Sequence, residues 1–478
     1  MHKNDMMRHE DIFCVCETIY LFWAESYIFL NESLNGFIQE HRKGSGIFMK
    51  NFPRIAAILI MAVMLLLTLG GCSSSDGKTH LTFQIWDVAQ RDGMQAMCDA
   101  YTELHPDVEI EVQVTSWNEY WTKLEAAAES NTMPDIFWMH TNQILYYSDF
   151  GMLADVTDLY DDEDPGFYQE HYSEISLSNA MGSNGRLYGV PKDKDNVCLV
   201  YNREMFDAAG VAYPDETWTW DDLTAASQQI YDKIGKYGYM AYADDQLGYW
   251  NFVYQAGGYI LNEDKTASGY TDEATVRAMK FYIGLQQEDW CPTQTYFAET
   301  SPGTAFFSQV GAMFLEGNWN LLSEMQNYPE MVGKWDVAVL PRCPDPASGD
   351  GRATISNGLC YSTAARGKNL EIVRDVLKFF GSEEAQRIQG LSGAAIPAYN
   401  DLEDTWLSAF DGFDYRINVE ICLDQFEYCV QNVNNASRPK WKSGVSDELL
   451  KIYSGEVDVD TGLAYMQELV DRLSAPKE

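Results

Sequence analysis

The chain is poor in positive charge. Thirty-three Lys and Arg face 72 Asp and Glu, a formal net charge of −39 with 7 histidines counted neutral. A nucleic-acid partner is excluded on that balance, because phosphate binding needs a basic surface. Paired cysteines are missing too. Past Cys72 the cysteines are Cys98, Cys198, Cys291, Cys343, Cys360, Cys422 and Cys429, an odd number with no CxxC. That pattern predicts no disulfide framework and reads as small buried hydrophobes. Cys422 and Cys429 fall on one face of an expected helix, which is no bonding geometry. Beyond Cys72 the histidines are His80, His105, His140 and His171, scattered rather than clustered, so no metal or other cofactor is expected. No GxSxG elbow, HExxH or P-loop occurs, and nothing singles out a carboxylate pair for glycoside cleavage. No repeat period is visible.

A membrane-spanning run is also lacking. The uncharged apolar stretch Ile55–Leu69 is short for a span and suits a signal-peptide core, with Lys50 and Arg54 before it. It ends Leu69-Gly70-Gly71-Cys72. Residues 49–71 therefore read as a signal peptide starting at Met49, with residues 1–48 as upstream reading and residues 72–79 as a short tether.

What the chain has in quantity is hydrophobic and aromatic mass, 46% and 13% over 478 residues. That is enough for a large core and favours two domains or more. Leu81–Trp86 alternates as a strand. Gln90–His105 carries apolar residues at helical spacing before Pro106. Val108–Val114 alternates, Asn118–Ser130 is helical and Pro134–Met139 is a buried strand. This order predicts a doubly wound α/β sheet, in which ligands sit beyond the carboxyl ends of the strands. Those ends bring forward Trp86, Asp87, Trp117, Tyr120, His140 and Asn142, with Gln90 close by. Asp87 also fits a helix cap, Tyr120 the inward face of its helix, and His140 a structural role. In Asn184–Phe206, Pro191–Asn196 separates two strand-like runs. Pro191 withholds a donor, so no sheet is expected to run through it. The charged break reads either as a surface turn or as a crossing between lobes. The later chain turns more helical, with short strands expected at Ser308–Phe314 and Asp336–Leu340.

Several spread stretches carry a resemblance: Ile85-Trp-Asp87, Pro134-Asp-Ile-Phe-Trp-Met139, Gly185-Arg-Leu-Tyr-Gly-Val-Pro191, Leu199-Val-Tyr-Asn-Arg-Glu-Met-Phe206, Gln255-Ala-Gly-Gly258, Gly311-Ala-Met-Phe-Leu-Glu-Gly-Asn-Trp319, Asp336-Val-Ala-Val-Leu-Pro341 and Ser382-Glu-Glu-Ala-Gln386. In their order and spacing the chain resembles the extracellular solute-binding proteins of ABC importers, in the carbohydrate-binding branch that includes the maltose-binding protein family. The resemblance covers roughly residues 80–475. It implies an α/β, two-lobed periplasmic-binding-protein-like fold, each lobe a sheet flanked by helices, with ligand in the interlobe cleft. Lobe one would be 80–192 plus 338–382, and lobe two 196–334 plus 384–478.

The same resemblance implies a monomeric binder and no enzyme. It would capture a mono- or oligosaccharide by hinge closure and pass it to the permease subunits of an ABC importer. The sequence before Cys72 resembles a bacterial lipobox, which implies a lipid on Cys72 and a protein tethered to the extracellular face of the cell membrane. Trp319 matches the family's stacking aromatic, Trp250 its lobe-two aromatic and Trp441 a late cleft aromatic, each with a place in the core as the alternative. Lys192, Asp193 and Asp195 lie in the crossing, and Asn357 follows in Ile355-Ser-Asn-Gly358, where a turn would serve as well. A secreted glycoside hydrolase, a binder of a non-sugar solute and a binder serving a sensor are the other readings.

Overall fold

The computed structural model describes residues 77–475 apart from Asp162. The stretches expected to be a signal peptide, a lipidation site at Cys72 and most of a tether lie outside the described residues. Among the described residues no helix is long and apolar enough to cross a membrane.

Two larger sheets organise the chain. The first has the order β2-β1-β3-β11-β4. Strands β1 (Thr79–Ile85), β2 (Val108–Val114) and β3 (Ile136–His140) run parallel. Helices Arg91–Leu104 and Trp117–Ser130 make the crossovers, as a parallel pair requires. Strand β11 (Leu359–Ser362) returns antiparallel between β3 and β4 (Val190–Pro191). Leu81, Phe83 and Ile85 alternate inward and pack with Met94, Met97 and Tyr101 of the first helix.

The second sheet has the order β7-β8-β6-β9. It comprises β6 (Val197–Asn202), β7 (Tyr237–Tyr239), β8 (Gly311–Gly317) and β9 (Trp335–Ala338). Strand β6 is buried along its whole length because each face meets a different core. Val197, Leu199 and Tyr201 face one cluster, and Cys198 and Val200 the other. That double burial explains its uninterrupted apolar run.

Two short ladders lie between the sheets. Strand β5 (Asp193–Lys194) pairs with β12 (Ile396–Pro397), and β10 (Thr354–Ser356) with β13 (Cys429–Gln431). The chain thus passes from the first sheet to the second through Lys192–Asn196 and returns through Asn357–Gly358. The charged break is a crossing rather than a surface turn.

Four expectations need correction. Pro191 does sit in a strand, opposite Cys360. Strand β4 is the sheet's edge, where a missing N–H breaks no ladder. Ser308–Phe314 is not one strand: helix Pro302–Phe307 precedes β8, which starts at Gly311. Cys422 and Cys429 do not share a helix, because the helix ends at Asp424 and Cys429 opens β13. The lobe boundaries also move. Ala338, Leu340, Cys343 and Ile355 pack in the second sheet's core, while Ala385, Ala394 and Ala398 pack in the first sheet's. Apolar contact, not the end of a strand, decides to which lobe those segments belong.

Of the close approaches in the second lobe that only glycine allows, that of Gly238 is among the tightest. A Cβ on Gly238 in β7 would run into the backbone of Ser227, in helix Trp220–Ile234. Gly238→Ala is expected to cost about 1–3 kcal/mol, read as a lower urea midpoint in chemical denaturation. An unchanged midpoint would mean the helix can shift freely on the sheet.

Candidate functional site

A cavity of about 360 Å³ opens between the two sheets. One wall comes from the carboxyl ends of β1 and β3 and the start of the helix after β2. It presents Trp86, Asp87, Gln90, Trp117, His140 and Asn142. The opposite wall presents Asp244–Leu247, Trp319, Asn320 and Lys442, and the floor is Asp193, Asp195 and Leu359 of the crossings. A larger cavity of about 480 Å³, around Asp135 and Arg366–Asn369, contains none of the residues expected to bind.

The aromatic wall is built edge to face. The Trp86 ring centre lies 5.1 Å from Trp117, 4.9 Å from Tyr120 and 5.0 Å from Trp138, all near perpendicular. This geometry is favourable for quadrupolar rings and stiffens the wall. Trp117 is 41% exposed and offers free ring surface. Tyr120 is buried behind it and donates its hydroxyl to the Trp138 carbonyl at 2.6 Å. It supports the wall and does not reach the cavity.

His140 caps helix Thr141–Asp149. Its Nδ1 accepts the Asn142 N–H at 3.0 Å, so the ring proton sits on Nε2. Burial, then the Arg438 and Lys442 charges, push its pKa down to about 3, and the ring stays neutral. Asp87 accepts the Ala89 N–H at 2.9 Å and the Gln90 side-chain amide at 3.0 Å. It organises the turn into the helix and also borders the cavity.

The crossing is dense with charge. Lys192 is fully buried, and its ammonium donates to Gln90 Oε1 at 2.9 Å and Asp193 Oδ2 at 2.8 Å. It also lies 4.6 Å from the Trp138 ring centre. Lys192 therefore acts from below the floor. Asp193 Oδ1 takes the Leu359 N–H at 2.8 Å. Asp195 Oδ1 takes three donors: Ser356 Oγ at 3.1 Å, Asn357 N–H at 2.6 Å and Gly358 N–H at 3.0 Å. Both aspartates border the cavity. Burial and the adjacent Asp193 charge push the Asp195 carboxyl up to about 7, against those three donors.

Besides Tyr120 and Lys192, three expected residues are not at the cavity surface. Trp250 and Trp441 are each 1% exposed. They sandwich the Arg438 guanidinium, whose carbon lies 4.8 Å and 5.4 Å from their ring centres. A planar cation between two indoles is a favourable stack, and it leaves no ring face for a ligand. Asn357 is fully buried. Its backbone serves Asp195 and its side chain pairs with Asn432.

Asp244, Asp245, Gln246, Leu247, Asn320 and Lys442 escaped sequence reasoning. Arg438 and Lys442 hold Asp245 at 2.5 Å and 3.3 Å. Burial raises the Asp245 carboxyl, but those two cations outweigh it and keep its pKa below the ordinary range. Asp244, with no such pair, is raised by burial and by Asp245. The available signal was the polar run Asp244-Asp-Gln246 ahead of an aromatic helix, and Lys442 directly after Trp441.

The chain has clear relatives. The sequence profile described as "Bacterial extracellular solute-binding protein" matches residues 87–387. The chain is 24% identical over 350 residues to the arabinooligosaccharide-binding protein of Bacillus subtilis (strain 168), covering 69% of this chain and 76% of that protein. It is 23% identical over 355 residues to the diacetylchitobiose binding protein DasA of Streptomyces coelicolor, covering 72% and 81%. Among solved structures, an ABC substrate-binding protein from Listeria monocytogenes in complex with cycloalternan superposes with a TM-score of 0.74 at 23% identity, covering 83% of this chain and 98% of that one. That likeness is one of fold.

The raised Asp195 carboxyl gives a pH prediction. Between an ordinary carboxylate pKa of about 4 and about 7, the folded chain holds a proton that the unfolded chain has released. Stability from this group is full below about pH 4 and lost as pH rises through 7. Asp195→Asn is expected to flatten the fall of the melting temperature across that window. An unchanged slope would place the ionisation elsewhere.

Proposed function

The chain belongs to the bacterial extracellular solute-binding proteins, and on that premise we propose that it captures a sugar or oligosaccharide between its two lobes for delivery to an ABC importer. One observation carries the reading: indole surfaces and carboxylates share one cavity, and they come from both sheets and the crossings between them. A pyranose has apolar C–H faces and polar hydroxyl edges, so it needs both kinds of group at once. Hydroxyls buried without partners would cost about 1–3 kcal/mol each. Asp87, Asp193 and Asp195 supply acceptors, while Lys442, Gln246 and the His140 Nε2–H supply donors. The names of the curated relatives, which bind an arabinooligosaccharide and diacetylchitobiose, support the same substrate class.

The proposed mechanism is closure about the crossings. Ligand meets one wall, and the second wall then completes its contacts. Binding shifts the population only by its better contacts with the closed form. Turnover is not part of this function. If incubation with oligosaccharides released cleaved products, the binding reading would give way to a carbohydrate-active enzyme. We further propose a lipid on Cys72 that holds the chain at the outer face of the membrane. Cys72→Ser is expected to release the protein into the medium and abolish incorporation of labelled palmitate. Labelling that persists would refute the anchor.

A thermal-shift screen across mono- and oligosaccharides is expected to find ligands that raise the melting temperature. If amino acids or peptides did so and no sugar did, the substrate class would be wrong. Trp319→Ala is expected to weaken sugar affinity at least tenfold, about 1.4 kcal/mol, by calorimetry, with little change in melting temperature. Unchanged affinity would make Trp319 a packing residue.

A further inference from the structure

The cavity is rich in carboxylates, and their counter-ions are unevenly distributed. Asp193 has Lys192, and Asp245 has Arg438 and Lys442. Among the described residues no lysine or arginine pairs with Asp87, Asp195 or Asp244. Five carboxylates thus border the space against three cations within or directly behind its walls. Asp195 is 7% exposed, and its Oδ1 is fully used by three donors. Its Oδ2 has only the Gln246 amide, at 3.4 Å. Asp244 accepts the Leu247 N–H at 2.8 Å and borders the same space.

A second observation points to a ligand with an acceptor oxygen. His140 is 7% exposed and borders the cavity. Its Nδ1 is taken by Asn142, and its Nε2–H has no partner among the described residues. That unpaired donor favours a ligand that presents an acceptor oxygen beside Trp86 and Trp117.

Resting on the saccharide reading, we infer that the cavity selects a sugar bearing a free ammonium group, an amino sugar, over its N-acetylated or neutral counterpart. Above the pH at which these carboxyls release their protons, a neutral hydroxyl can donate to Asp195 or Asp244, but it leaves their charge buried and uncompensated once the lobes close. An ammonium group satisfies the same lone pairs and neutralises the charge. Burial first, and then the neighbouring aspartate in each case, raises the proton affinity of both carboxyls. A bare metal ion fits less well. Among the described residues, acidic and histidine ligand atoms converge closely enough for one only at Asp164, Glu170 and His171, outside this cavity. The ring hydroxyls of an amino sugar provide the acceptor for His140, and its C–H face meets the indoles.

The test is calorimetry at about pH 7, where the Asp244 carboxyl, raised only to about 6, is ionised and the sugar amine still largely carries its proton, with length-matched di- and trisaccharides of glucosamine, N-acetylglucosamine and glucose. The free-amine series is expected to bind at least tenfold tighter than either other series. Asp244→Asn is expected to lower the ratio of free-amine to neutral affinity at least fivefold. Asp195→Asn gives the same readout where Asp244→Asn does not fold. Equal or tighter binding of the acetylated or neutral series overturns the inference and leaves the saccharide reading standing. So does an unchanged ratio in the variants, or binding only of a neutral sugar from the wider screen. If no saccharide of any kind binds, both readings fall.

Discussion

The structure depends on one charge buried where the chain changes lobes. The Lys192 ammonium has no access to water, so its desolvation must be met by protein groups. Three elements meet it: Gln90 beyond β1, Asp193 of the crossing, and the face of Trp138 in β3. Asp193 in turn holds the Leu359 amide at the start of the returning strand, and the Lys192 carbonyl accepts from Gln389 and Ala398. The outgoing and returning strands are therefore tied by the network that fixes the cavity floor. Removing one partner would leave the other buried and unpaired, which costs about 3–5 kcal/mol for such pairs.

From that knot the two walls follow. The parallel strands of the first sheet end at Trp86 and His140, and the crossover helix begins at Trp117. All three side chains therefore arrive at the same edge, as the topology of such sheets requires. The second wall is less regular. Asp244–Leu247 lead into Gly248, which adopts φ −156°, ψ −124°, and Trp319 and Asn320 open the turn after β8. Glu316 on β8 holds the Asn320 amide at 2.9 Å. One wall is rigid aromatic surface and the other a polar turn set on a buried strand, a division that suits a ligand with one apolar face and a polar rim.

Much of the first lobe was legible because its signals are local. Alternation in Val108–Val114 and helical spacing in Gln90–His105 come from each element burying one face. The strand ends then named Trp86, Asp87, Trp117, His140 and Asn142 as neighbours, and the structure brings these five to one cavity. The misses were tertiary. Trp250 and Trp441 looked like cleft aromatics because nothing in the sequence announces that Arg438 lies between them. Asp244–Gln246 went unnoticed because a polar turn has no period. Pro191 looked like a barrier to a sheet because edge position depends on strand order, which a single sequence does not print. The lobe boundaries shifted because apolar side chains such as Leu340 and Ala394 pack with whichever core lies beneath them.

The central claim is that a saccharide is held between both walls at once. Hydrogen–deuterium exchange with and without the sugar that gives the largest thermal shift tests it most directly. Protection is expected together at residues 86–90 and 140–142 on one side and at residues 244–247 and 319–320 on the other, with further slowing at 192–196 in the crossing. Protection confined to one wall, or appearing only around Asp135 and Arg366–Asn369, would contradict a ligand held between the lobes.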